Sequence, residues 1–426
     1  MWNSRSIETV DRSHFSSCFR KPLYKSYCFS KVPATVESFF TSNFSRALPK
    51  DCVGDISEPF DSVILFLLDG FGWRFFEECS HDYPFLRRFV DEGVVSKITS
   101  QFPSTTAAHI TSVSTAQEVG KHSIYEWFCY EPSVDRIIAP LLYSIAGDKT
   151  LGNLEKLGVK PENIYPKSTF YMQLKKQGID SFVIQPESII NSAYSKSVTK
   201  GAHPLAYVDF EQGLKTLCEG VNEKGGAPSY FFVYFSDIDS CGHRCGVDSK
   251  EFKEVIKSCM QSLEKFFYQQ VSRGKRKIAC LLTADHGMIS VDPRTTVYVN
   301  KEIPELLDLI ESNSEGRKLV PAGSCRDLFL HIKKGKLSAA EQLLKTHLSS
   351  IAEVYQSSEL IKNGFFGSKS PSLRFREKIA DLVVLPFENQ SVWWYEKGKF
   401  EQHFYASHGG LSPAEMEIPF LFLPIM

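Results

Sequence analysis

Three short, wholly apolar runs, each closed by an acidic residue, constrain this chain most. They are DSVILFLLDG at 61–70, SYFFVYFSDID at 229–239 and KIACLLTADHG at 277–287. Runs of this length, with no polar face, suit strands buried on both sides of a parallel sheet. IDSFVIQP at 179–186 adds a fourth. The stretches between read as helices: 82–93, with Phe85, Leu86, Phe89 and Val90 on helical spacing, then Ala107–Thr115, Phe170–Gln177, Phe210–Cys218 and Lys250–Val271. Strands alternating with helices predict an α/β fold with a mostly parallel central sheet flanked by helices.

The chain divides by character into four segments. Residues 1–58 are a polar and aromatic lead-in, expected to pack on the core. Residues 59–300 carry the first part of that core. Residues 301–380 read as an inserted α+β cap, in which DLFLHIKKGK is a strand and turn and LSAAEQLLKTHL a helix. Residues 381–426 return to the core. IADLVVLP, SVWWYEKGKF and IPFLFLPI read as further strands.

Lys+Arg is 49 and Asp+Glu is 50 among 426 residues, a net charge of -1, which argues against a nucleic-acid partner. The one dense basic run, RGKRK at 273–277, reads as a solvated turn. The 11 cysteines are scattered, with no CxxC pair, and suit reduced thiols. The first residues hold no apolar run that would form a secretory leader, and Val63 to Leu68 is too short to span a bilayer. A cytoplasmic location with no membrane span is the expectation, and the sequence is silent on oligomeric state.

The chemistry-bearing residues fall at the ends of the apolar runs. Asp69 ends the first, Asp239 and His243 follow the second, Asp285 and His286 end the third, and His408 precedes the last. Open parallel sheets bind ligands beyond the carboxyl ends of their strands. Three Asp and three His delivered to one edge suit Zn²⁺ or a similar borderline divalent ion, with Mn²⁺ or Fe fitting the same set. Taken singly, each has a plainer reading. Asp69 suits a helix cap, His243 a hydrogen-bonded loop histidine, and His408 a turn beside two glycines. In FPSTTAAHITSVST (102–115), a hydroxyl where Pro103 gives way to a helix sits beside free N–H groups that favour an anion. Ser104, Thr105 or Thr106 suits a simple N-cap there equally well.

Together these pieces resemble the alkaline phosphatase superfamily and, more closely, the type I phosphodiesterase/nucleotide pyrophosphatase family. The matching stretches are LLDGFG (67–72), FPSTTAAHITSVST (102–115), DIDSCGH (237–243), TADHGM (283–288) and SHGGLSPAEMEIP (407–419), in the family's order. The resemblance implies two divalent ions, one held by Asp239, His243 and His408, the other by Asp69, Thr106, Asp285 and His286. It selects Thr106 as the nucleophile, three residues after Pro103. The implied activity is metal-dependent hydrolysis of phosphodiester or pyrophosphate bonds in a small nucleotide-like substrate, through a phosphothreonine intermediate. A phosphomonoesterase or phosphotransferase on the same site is the nearest rival, and a non-catalytic metal-stabilised binding protein the rival from another class. Two departures stand out. His109 occupies a position where nucleotide-cleaving members often place a phosphate-holding Asn, so His109 either binds phosphate or packs the helix. The family's usual Thr-Gly is here Thr115-Ala116. His122 reads as structural. STTAA lacks the Cys/Ser-x-Pro-x-Arg stretch of sulfatases.

Overall fold

Strand pairing follows the apolar runs closely. The computed structural model describes residues 1–55, 58–148, 150–223, 227–271 and 276–426. The strands of its two larger sheets, in chain order, are β1 (Ser62–Leu68), β2 (Val94–Thr99), β3 (Asp180–Pro186), β4 (His203–Tyr207), β5 (Ser229–Phe235), β6 (Ile278–Thr283), β7 (Ala322–Ser324), β8 (Asp327–Leu330), β9 (Ala352–Gln356), β10 (Leu382–Pro386) and β11 (Glu417–Ile425). A seven-stranded sheet has the order β2-β11-β6-β1-β5-β3-β4. β1 pairs in parallel with β5 and β6, and β3 in parallel with β4 and β5. β11 runs antiparallel between β2 and β6. The sheet is mixed but mostly parallel, as the hydropathy pattern requires. Every residue of β1, β5 and β6 is buried, because helices cover both faces.

The helices expected at 107–115 and 170–177 are Thr106–Thr115 and Phe170–Lys176. The long helix from Lys250 stays α-helical to Ser262 and then widens into a π-helical turn, Leu263–Tyr268. Two strands of the seven-stranded sheet carried no signal. β2 has Ser96 and Lys97 inside it, and Lys97 is buried because its ammonium pairs with Asp11 (2.6 Å) and Glu417 (3.0 Å). β4 lies at the sheet's edge with most of its residues exposed, so its sequence reads as loop. Of SVWWYEKGKF only Val392–Trp393 is extended, pairing with Val297–Tyr298.

The lead-in closes the β2 edge: the Asn3 N–H reaches the Val95 carbonyl (2.8 Å) and the Val95 N–H that of Met1 (2.9 Å). Covering an edge in this way removes a template for unwanted pairing. A second, four-stranded antiparallel sheet has the order β7-β8-β10-β9, so its pairing runs past residue 380 to take in Leu382–Pro386. The helix Leu337–Leu348 accompanies it. Of the basic run at 273–277, residues 273–275 lie outside the described residues; Arg276 donates to the Asp61 and Ala227 carbonyls, and Lys277 pairs with Glu58. No helix among the described residues is long and apolar enough to cross a membrane.

Candidate active site and metal centre

The carboxyl ends of the three central strands lie level, with Leu67 beside both Tyr234 and Thr283. The residues that follow them converge at one edge. Asp69 leaves β1 through Gly70, whose φ of +74° strains any side chain and where a Cβ would lie 3.1 Å from the Asp239 backbone. Asp285 and His286 follow β6. Asp239 and His243 lie one turn apart on the helix Asp237–Cys245, which begins as β5 ends. His408 follows the short strand Ala406–Ser407.

Two candidate ligand groups result. Asp69, Asp285 and His286 form one, and Asp239, His243 and His408 the other; in each, one potential ligand atom per residue lies within 4.8 Å of the others. In the first, His286 Nε2 is 3.3 Å from Asp69 Oδ1 and 3.4 Å from Asp285 Oδ2. In the second, Asp239 Oδ1 is 3.3 Å from His243 Nε2 and 3.6 Å from His408 Nε2. The groups adjoin: the His286 and His408 rings stack with centroids 3.6 Å apart.

The hydrogen bonds of the three histidines prepare them as ligands. Each Nδ1 faces a backbone carbonyl: His243 that of Ala406 (2.8 Å), His408 that of Ser104 (3.0 Å), His286 that of Gly287 (3.0 Å). With Nδ1–H donating there, Nε2 presents its lone pair to the carboxylates, the tautomer that metal-binding histidines adopt. Burial and neighbouring imidazoles push His286 well below the ordinary histidine range, and burial holds His408 down to about 4. Both rings are therefore neutral at neutral pH. Asp239 Oδ1 and Asp285 Oδ2 are buried and accept no hydrogen bond. Burial, with Asp285 and Asp239 nearby, raises Asp69 well above the carboxylate range, and burial raises Asp285 to about 7. Among the described residues no Lys or Arg pairs with these three carboxylates. Buried carboxylates facing neutral imidazoles need a counter-charge, and divalent ions fit that need.

Thr106 opens the helix Thr106–Thr115. Thr105 precedes it in extended conformation and makes no side-chain capping bond. The Thr106 hydroxyl does not cap either; it lies 3.3 and 3.4 Å from the Asp69 oxygens and 3.2 Å from His286 Nε2. The uncapped N–H groups of this helix start open beside both ligand groups.

The structure thus brings together Asp69, Thr106, Asp239, His243, Asp285, His286 and His408. It does not bring His109 to them. That ring is fully buried, with both nitrogens engaged: Nε2 accepts from the Gln101 N–H (2.8 Å) and faces Ser100 Oγ (2.8 Å), and Nδ1 faces the Thr105 carbonyl (2.8 Å). Both of its ring nitrogens are thus taken by groups of the protein itself. His122 is likewise buried, with Ser112 Oγ 2.9 Å away and the Ile124 N–H donating to Nδ1.

Two contributors carried no sequence signal. Tyr234, the penultimate residue of β5, donates its hydroxyl to Asp69 Oδ2. Its place beside Leu67 in the parallel register is the clue a sheet alignment would have supplied. Ser104 holds His408 through its carbonyl and donates its hydroxyl to the Gly410 carbonyl (2.8 Å).

Comparison with known proteins identifies the family and the fold. The family model described as type I phosphodiesterase/nucleotide pyrophosphatase matches residues 63–411. No curated protein sequence matches the chain. Among solved structures, murine ectonucleotide pyrophosphatase/phosphodiesterase 5 superposes with a TM-score of 0.62 at 16% identity, covering 85% of this chain and 87% of that one. An inactive threonine-to-alanine variant of the murine protein, in complex with AMP, matches equally. Phosphonoacetate hydrolase from Sinorhizobium meliloti 1021, in complex with phosphonoacetate, gives a TM-score of 0.59 at 16% identity, covering 87% of this chain and 92% of that one. With the family match running from β1 to the loop after His408, the chain belongs to the type I phosphodiesterase/nucleotide pyrophosphatase family, hydrolases of phosphoric ester and anhydride bonds.

Proposed function

We propose that this protein hydrolyses a phosphodiester or pyrophosphate bond in a small nucleotide-like substrate, with Thr106 as nucleophile. The observation that carries this reading is the position of the Thr106 hydroxyl. It lies at a helix start, within 3.4 Å of Asp69 and His286, where a pure metal-binding module needs no hydroxyl.

Asp69, Asp285 and His286, with Thr106 Oγ1, would hold one divalent ion, and Asp239, His243 and His408 the other; Zn²⁺ suits the Asp/His set best. Bound there, such ions lower the pKa of the hydroxyl and neutralise charge on the entering and leaving oxygens of an in-line displacement. The chain's own residues do the rest. The helix N-terminus directs N–H groups at the phosphoryl oxygens. Tyr234 fixes the Asp69 carboxylate beside the hydroxyl. Thr106 Oγ forms a bond to phosphorus as the bond to the leaving group breaks, giving a phosphothreonine, and water then displaces Thr106 from phosphorus. The match to the type I phosphodiesterase/nucleotide pyrophosphatase family supports a diester or pyrophosphate over a monoester. The AMP complex of the murine relative supports a nucleotide-like substrate.

The test compares bis-p-nitrophenyl phosphate with p-nitrophenyl phosphate on chelated and Zn²⁺- or Mn²⁺-reloaded protein. The diester is expected to turn over faster, only when the protein is reloaded, and Thr106→Ala is expected to abolish turnover while still binding about two ions per chain. Full activity in Thr106→Ala removes the nucleophile assignment, and preference for the monoester moves the protein to the phosphatases.

A further inference from the structure

The four-stranded sheet meets the His408 loop through the turn between β7 and β8. Arg326 in that turn is fully buried. Its Nε and Nη2 donate to the two Glu415 oxygens (3.0 and 2.9 Å), and its remaining bonds go to the carbonyls of Pro386, Phe387 and Gln390. Glu415 in turn accepts from the N–H groups of Gly410 (3.0 Å) and Ser412 (3.3 Å) and from the Ser412 hydroxyl (2.6 Å). Charge-assisted, two-point bonds of this kind fix direction as well as distance. On the other side of the loop, Asp327 Oδ1 accepts from the Ser324 N–H (3.0 Å) and hydroxyl (2.6 Å), and the same hydroxyl lies 3.2 Å from the His408 carbonyl.

Gly409 sits within this grip. Its φ is +125°, and a Cβ there would lie 2.6 Å from Ser324 Oγ and 2.9 Å from Asp327 Oδ1. The backbone from His408 to Ser412 is thus held by side chains of the inserted sheet on one flank and through Glu415 on the other. Glu415 also accepts the Gly287 N–H at its carbonyl (2.9 Å), beside His286, so Arg326 borders both groups, whereas no contact runs from Ser324 or Asp327 to Asp69, Asp285 or His286 among the described residues.

We propose that Ser324 and Asp327 are positioning residues for His408, so that the inserted sheet sets the affinity of the Asp239–His243–His408 group for its divalent ion and leaves the Asp69–Asp285–His286 group alone. The proposal rests on the two-ion reading above. The Ser324 hydroxyl, held by Asp327 and bonded to the His408 carbonyl, makes a coupling that the other group lacks, so the expected signature is selective.

The experiment titrates chelated full-length protein with Zn²⁺ by calorimetry, which counts ions per chain and separates two affinities, with thermal melting as the folding control. Ser324→Ala and Asp327→Asn are the variants, since Arg326 substitutions strand a buried carboxylate and endanger folding. Both are expected to bind two ions, one class weakened about 10- to 100-fold, the range for outer-shell partners, and the other within twofold. The weakened class is expected to be the one missing altogether in His408→Ala. A merely structural grip lowers the melting temperature and weakens both classes alike, and that result, or unchanged affinity in both, overturns the proposal. Uptake of two ions by the wild type keeps the two-ion reading intact whichever way the variants behave; absence of uptake overturns that reading and the proposal with it.

Discussion

The two ligand groups differ in what holds them. Asp69, Asp285 and His286 hang directly from adjacent β-strands and are almost wholly buried, with side-chain exposures of 3%, 0% and 0%. Asp239, His243 and His408 come from a short helix and a loop and are partly open, at 14%, 18% and 12%. The first group inherits its geometry from the sheet register. The second depends on bonds to other parts of the chain, such as the Ala406 and Ser104 carbonyls behind its rings. Strand ends supply preorganisation at the cost of crowding like charges; loops supply access at the cost of needing support.

Substitutions should expose that difference, most strongly in the buried group. Asp285→Asn is expected to lower kcat/KM on the diester by about a thousandfold or more, with about one ion bound, because it strips charge from both the ion and the nucleophile's surroundings. Steady-state rates and metal analysis on the same sample check it. His243→Ala, in the open group, is expected to cost less, about 10- to 100-fold, and to recover in part with excess Zn²⁺, since solvent can replace an exposed ligand. Equal losses, or no recovery, would erase the distinction.

The same contrast governs pH dependence in the ion-free protein. Burial raises Asp285 from 3.8 to about 7 in the folded chain. A carboxyl raised in this way favours the fold below its unfolded pKa, and that contribution is lost as pH climbs through the folded value, because the native state then holds more protons than the unfolded one. Chelated Asp285→Asn should therefore gain stability over chelated wild type between pH 5 and pH 8. The gain is at most about 4 kcal/mol, because each tenfold change in proton affinity is worth about 1.36 kcal/mol. Urea melts at both pH values measure it, and Zn²⁺ should cancel the gain. A gap that shrinks with rising pH contradicts the charge-crowding account.

The smallest expected effect on catalysis belongs to His109. His109→Gln removes buried hydrogen bonds and should cost about 1–3 kcal/mol of stability while leaving KM for the diester unchanged. A raised KM with unaltered stability would return His109 to a phosphate-binding role.

Legibility followed the same division. β1, β5 and β6 were readable because strands buried on both faces must be apolar throughout, and their acids stood out at the ends. β2 was hidden because Lys97 is buried by partners, Asp11 and Glu417, that lie far away in sequence. β4 was hidden because an exposed edge leaves no apolar pattern. In the site, the candidate ligands were legible by residue type and placement. Tyr234, Ser104 and the Arg326–Glu415 pair were not, since a hydroxyl, a backbone carbonyl and a long-range ion pair leave no local trace. His109 was ambiguous for the same reason: a histidine that serves two backbone groups looks, in one dimension, like one that serves a substrate.

The antiparallel strand Glu417–Ile425, wedged between Val94–Thr99 and Ile278–Thr283, also sets a timetable. During synthesis Asp69 leaves the ribosome well before His408 and the strand that fills the gap. Until then β2 and β6 have unfilled edges facing one another, and the pocket has only part of its donors. A nascent chain that lacks this strand therefore offers two sheet edges to unwanted pairing and an incomplete set of candidate donors.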